Sequence, residues 1–161
     1  MALARFLTLE PESGRSSAMA TQLWEILFAG VEAQNITIST SENKEGDPAA
    51  AQALAIPLVA ASRYSDEWKD KSDAQFFAHA FGSVLAILSE LDEKETSKDP
   101  FWSALAIPYF RDARQAGHIE AMAYAVRRSL GDPETTQWIK DHSEAVDRFN
   151  QWSKDWKVPH Q

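Results

Sequence analysis

Residues 101–130 hold four arginines, Arg111, Arg114, Arg127 and Arg128, against two acidic side chains, Asp112 and Glu120. In a chain of net charge −8 this is a local basic island. A guanidinium is a planar fork of donors that matches a carboxylate or a phosphate. If the stretch folds as a helical hairpin, some of these forks would converge on an anion, with Tyr109, His118 and Tyr124 nearby. A second reading stands beside it. The same arginines would then pair with acidic neighbours on a solvated surface, where each pair contributes little.

Other chemistry is weakly signalled. The histidines are His79, His118, His142 and His160, and none belongs to a His-Glu-x-x-His or Glu-x-x-His arrangement. His79 lies among Phe76, Phe77 and Phe81, which places it in the core or at its boundary. Asp141-His142-x-Glu144 has metal-compatible residue types but straddles an expected helix boundary, so a solvated cap is the reading. Neither a Gly-rich phosphate loop nor a Gly-x-Ser-x-Gly elbow occurs, and there are no cysteines. No catalytic residue, metal or cofactor is therefore assigned, and the expectation leans away from an enzyme.

Six tryptophans in 161 residues is a high count. Tryptophan is favoured at binding hot spots, but its large area also makes it a packing residue. Trp138, Trp152 and Trp156 sit on helical stripes and read as packing. Trp68 differs, because it lies in the charged run Asp66-Glu67-Trp68-Lys69-Asp70 with no stripe to join. Exposed there it would meet a partner; folded back it would lid the core.

The elements that must position these side chains are helical. The chain has the length of one domain, and its 44% apolar and 25% charged residues are ordinary for a globular protein. Ala-Leu-Ala-Ile-Pro occurs at Ala53–Pro57 and again at Ala104–Pro108, each copy a few residues after an Asp-Pro pair. Asp47-Pro48 and Asp99-Pro100 read as N-cap and first helical residue. Pro57 and Pro108 then kink their helices, each removing a bond to the alanine carbonyl four residues back. Two related helical units follow, residues 47–91 and 99–130.

Around them, residues 1–15 read as an irregular lead-in broken by Pro11 and Gly14. A first helix from Ser16 or Ser17 to near Gln34 carries Met19, Leu23, Ile26, Leu27 and Val31 on one stripe. Ile36 and Ile38 alternate with polar residues, which allows a short strand. Ser72 and Gln75 form a capping box for the most apolar segment, which should lie at the centre of the core. Gly117 and Gly131 stop helices, Asp132-Pro133 starts one, and Ser143 caps a last one within a C-terminal extension, residues 133–157. The expected architecture is all-α: six to seven helices in a single domain, with two related hairpins packed as a short solenoid or irregular bundle.

Ala113, Gly117 and Ala121, within Tyr109–Ala121, resemble the tetratricopeptide class of helix-turn-helix repeats. His118 after the glycine is similar to the Sel-one-like variant. The resemblance covers about 20 residues; it implies an α-solenoid and a role in protein–protein contact. The Arg63–Ser72 connection of the first unit has no glycine and departs from the pattern.

The acidic balance argues against nucleic acid and anionic lipid as partners, and no apolar run approaches the roughly 20 residues of a membrane span. Ala18-Met19-Ala20 mimics a signal-peptidase site, but Glu10, Glu12 and Arg15 interrupt the apolar region such a signal needs, so a cytoplasmic location is expected. The favoured expectation is a non-catalytic interaction module whose partner is another protein, with self-association into a homo-oligomer left open. Its binding candidates are Trp68, Tyr109, Arg111, Arg114, His118, Arg127 and Arg128. The alternatives are a small-molecule or anion-binding protein, even an enzyme, using the arginines, and an acidic antitoxin or immunity-type inhibitor.

Overall fold

The computed structural model describes residues 2–28, 31–32, 35–36, 56–90 and 101–158. Among them run α1 (Ala2–Leu9), α2 (Ser16–Phe28), α3 (residues 56–61) and α4 (Asp73–Ser89). Then come α5 (Ile107–Gln115), α6 (Ile119–Arg127), α7 (Pro133–Asp141) and α8 (Ser143–Asp155). A two-residue antiparallel pair, β1 (Val31–Glu32) with β2 (Asn35–Ile36), sets Val31 opposite Ile36. The fold is all-α.

The lead-in is helical, contrary to the sequence expectation. Pro11 and Gly14 break the chain after α1 rather than within it, and Ala4 and Leu7 are fully buried. α1 packs on α2 and α6. The turn between α1 and α2 is closed by the Ser16 hydroxyl, which donates to the Glu10 carbonyl and lies 2.8 Å from the Ser13 hydroxyl.

α2 stops at Phe28, short of the expected Gln34, and its buried stripe is rotated. Ser16, Ala20, Leu23 and Leu27 face inward, while Ile26 is exposed. Val31 belongs to the strand pair instead. The Asp47-Pro48 start, most of the first Ala-Leu-Ala-Ile-Pro copy and Asp99-Pro100 lie outside the described residues.

The capping box at α4 forms in both directions: the Gln75 amide donates to Ser72 Oγ and the Ser72 amide to Gln75 Oε1, each at 3.2 Å. α4 then contributes Phe77, Phe81, Val84 and Leu85 to the main core cluster and packs on both α5 and α6. At about 2–3 kcal/mol for each large apolar side chain removed from water, this helix is the centre of the fold.

In the second repeat copy the expected kink appears as a change of helix type. Phe101–Ala106 is π-helical and α5 begins at Ile107, with Pro108 in its first turn. The wide π turn absorbs a proline that lacks the N–H an α turn would use. α5 runs to Gln115 and is terminated two residues later at Gly117, whose φ of +72° suits a residue without Cβ. Its last carbonyls are satisfied by His118 N–H to Ala113 O at 2.8 Å and Gly117 N–H to Arg114 O at 3.0 Å.

Gly131, with φ +68°, closes the 3-10 turn Arg128–Leu130 after α6. Asp132 caps α7 by accepting the Thr135 amide at 2.9 Å. Ser143 is not the cap of α8: His142 occupies that position and makes no side-chain cap bond. α6 packs on α1, α4, α7 and α8, so one buried cluster joins the amino- and carboxy-terminal helices.

Candidate functional site

The four arginines go to three separate places, and Arg114, Arg127 and Arg128 each meet an acidic side chain. Arg111 Nε donates to the Ser89 carbonyl at 3.1 Å. Arg114 Nη1 reaches Ser89 Oγ at 3.1 Å and Glu90 Oε1 at 3.0 Å. Both therefore serve the C-terminal end of α4, where unpaired carbonyls and the helix dipole favour cations. Arg128 pairs with Glu12 at 2.6 Å and ties the α1–α2 turn to the end of α6. Arg127 turns inward to Asp132 at 3.2 Å.

Tyr109 is buried in the core. It is 1% exposed, with its hydroxyl 2.9 Å from Ser153 Oγ and the Arg5 guanidinium 4.0 Å from its ring centre. Trp152 and Trp156 pack on the same ring, and Trp156 Nε1 donates to Asp112 at 2.8 Å. His118 stands at the N-cap of α6 with its ring centre 5.2 Å from that of Trp152. Burial and the nearby Arg148 lower its pKa, so the imidazole is neutral near pH 7.

Trp68 folds back. The turn carrying it is organised by Trp68 and Lys69 amides donating to the Ser65 carbonyl, and by Arg63 donating to the Trp68 carbonyl. Its half-buried indole stacks on His79 with ring centres 4.3 Å apart and planes at 25°, and meets Phe76 edge-on. His79 is exposed on α4 with one ring face against the indole, outside the core rather than within it.

This stack forms one wall of an open groove between α4 and α6. The groove has two segments of about 590 and 470 Å³, which share Ala78, His79, Ile119 and Glu120. Its floor is the α4 stripe Ala78, Gly82, Ser83 and Ala86. The helices approach closely there: a Cβ on Gly82 would lie 3.2 Å from Ile119 Cγ2. The opposite wall holds Glu120, Tyr124 and Trp138. Tyr124 and Trp138 are parallel at 3.9 Å, and His142 stacks on Trp138 at 4.2 Å. Burial, followed by the charges of Glu134 and Glu120, raises the Tyr124 pKa, so its hydroxyl stays protonated. Arg114 and Gly117 bound the far end. A further opening of about 560 Å³, lined by Trp24, Phe28, Tyr64 and Phe76, carries no assigned role.

Of the sequence candidates, the groove thus takes Trp68 and Arg114, with Tyr124, and leaves out Tyr109, Arg111, His118, Arg127 and Arg128. It adds Glu120, Trp138 and the small-residue floor, for which the available signal was the spacing of Ala78, Gly82 and Ala86 along one helical face. Among the described residues no three His, Cys, Asp or Glu side chains lie close enough to share a metal ion. Among them, too, no helix is long and apolar enough to cross a membrane. No family model matches the chain, and neither the curated proteins nor the solved structures contain a match to it.

Proposed function

We propose that the protein is a non-catalytic, cytoplasmic protein–protein interaction module whose α4–α6 groove holds a segment of a partner protein. The observation that supports this is the groove itself. Half-exposed Trp68, on a hydrogen-bonded turn, and Trp138, on α7, stand on opposite walls over a low floor of small residues on α4. Rings already fixed by stacking lose little freedom when a partner covers them, which is what makes tryptophan effective at an interface. The resemblance of Ala113–Ala121 to tetratricopeptide-type units points the same way. The anion-binding alternative loses its support, because the guanidinium groups it needs are committed to the α4 terminus, Asp132 and Glu12.

The test is selection of peptides from a random display library on the folded chain, with rebinding to Ala78→Arg. That substitution places a long cation on the groove floor, and circular dichroism checks that the fold persists. Selected peptides should lose at least about tenfold in affinity, a change of about 1.4 kcal/mol. Peptides that bind Ala78→Arg as well as the parent would remove the groove from consideration.

A further inference from the structure

Resting on that reading, we infer that the Trp68–Trp138 end of the groove is a subsite for a basic side chain, a guanidinium above all, contributed by the partner segment. Glu120 is its counter-charge.

Geometry provides the aromatic surface. Among the described residues Trp68 has a parallel ring neighbour in His79, while Phe76 meets it edge-on at 64°. The half-exposed indole lines the groove, and among the described residues its second face has no parallel ring against it. Delocalised cations bind such faces, and guanidinium does so better than ammonium because it is flat and weakly hydrated. Across the groove the Tyr124–Trp138–His142 stack forms a rigid wall that excludes water from one side of an inserted side chain.

Charge then selects the sign. Glu120 lines both groove segments, is exposed, and makes no ion pair among the described residues. It stands one helical turn before Tyr124 on the same face of α6, which puts its carboxylate beside the aromatic wall. Glu134 adds a second negative charge felt at the Tyr124 hydroxyl. Arg127 opposes them at that hydroxyl, and its ion-pair partner Asp132 adds a smaller negative contribution. Against these stands Lys71 at the same end, while Arg114 at the far end is paired with Glu90. The balance at Tyr124 is negative, inside a chain whose net charge of −8 draws basic segments from a distance.

The experiment titrates the isotope-labelled full chain with N-acetyl-arginine amide, reading the indole N–H signals of Trp68 and Trp138 by nuclear magnetic resonance. N-acetyl-norleucine amide and N-acetyl-glutamate amide are the comparison probes. The arginine amide should shift both signals saturably and bind at least about tenfold more tightly than norleucine amide, with Glu120→Gln removing most of that difference. Equal binding of the arginine and norleucine amides, or preference for the glutamate amide through Lys71, overturns the subsite. So does a preference that Glu120→Gln leaves intact. The two readings fail separately. Groove-dependent peptides that lack a basic residue would keep the interaction module and end the cation subsite. Arginine amide binding without any groove-dependent peptide would do the reverse.

Discussion

Arg127 Nη2 lies 3.2 Å from Asp132 Oδ2, with the arginine side chain 9% exposed. The guanidinium also sits over the rings of Trp24 and Phe77, at 5.2 and 5.6 Å, and its Nε reaches Thr135 Oγ1 at 3.3 Å. The same carboxylate caps α7 through the Thr135 amide and hydroxyl. One acidic side chain thereby joins the end of α6, the start of α7 and an arginine lodged between aromatic rings. Asp132→Ala should cost about 3 kcal/mol, since it leaves a buried guanidinium without its counter-charge and removes a helix cap. Arg127→Met, which leaves the cap and a part-exposed carboxylate, should cost about 1–2 kcal/mol. Urea unfolding of both variants measures the order. If Arg127→Met proves the more damaging, the pair matters through packing rather than charge.

The same carboxylate makes an acid-sensitive joint. Burial alone would raise the Asp132 pKa, but the Thr135 amide and hydroxyl bonds and the Arg127 charge outweigh it and hold the pKa below its ordinary 3.8. A depressed folded-state pKa means the unfolded chain takes up the proton first. The stability is present above the unfolded value and is lost as pH falls from there through the folded one. Urea midpoints followed from about pH 5 down to about pH 2 should fall less steeply in Asp132→Asn than in the parent. Parallel curves would show that other carboxylates carry the acid response.

How much of this was legible in the sequence depended on the range of the interactions. The Ser72–Gln75 box, the Gly117 and Gly131 stops and the Asp132 cap were readable because each is made within a few residues. α1 is hidden in the sequence for a local reason: Pro11 and Gly14 interrupt the lead-in, although a breaker ends a helix without preventing the turns before it. The stripe of α2 was misplaced because Ile26 and Ala20 compete for the inward position, and packing against α1 decides it. The destinations of Arg111, Arg114 and Arg128 were not legible. Ser89, Glu90 and Glu12 lie far along the chain from Arg111, Arg114 and Arg128, and nothing in the spacing says which helix end will be adjacent. The groove is a product of tertiary structure in the same sense, since Trp68 and Glu120 on its two walls are separated by the whole of α4 and α5.

His118 gives a second pH signature of opposite residue type and the same slope. Burial against Trp152, then Arg148, lower its pKa below 6.5, so the folded state resists a proton that the unfolded chain accepts. Stability is full above pH 6.5 and declines as pH falls toward the folded value. His118→Gln, which keeps a polar side chain at the start of α6, should flatten the stability profile between about pH 6.5 and pH 5. An unchanged slope would mean that His118 ionises as readily in the folded chain as in the unfolded one.

Gly82 separates the stability of the fold from the shape of the groove. Replacing it by alanine relieves the helix of a residue that costs about 0.5–1 kcal/mol in a helix interior. The new methyl, however, would lie 3.2 Å from Ile119 Cγ2, closer than relaxed contact, so Ile119 must shift by a few tenths of an ångström. Ile119 is half-exposed at the groove wall and has room to move, though its β-branch restricts the rotamers it can use in a helix. The two effects oppose, and Gly82→Ala should leave stability within about 1 kcal/mol of the parent. Its methyl raises the groove floor where a bound segment must approach α4 most closely. Peptides selected on the parent chain should therefore bind Gly82→Ala several-fold more weakly, whereas urea unfolding scarcely changes. Loss of stability with unchanged peptide affinity would place the bound segment away from the α4–α6 crossing.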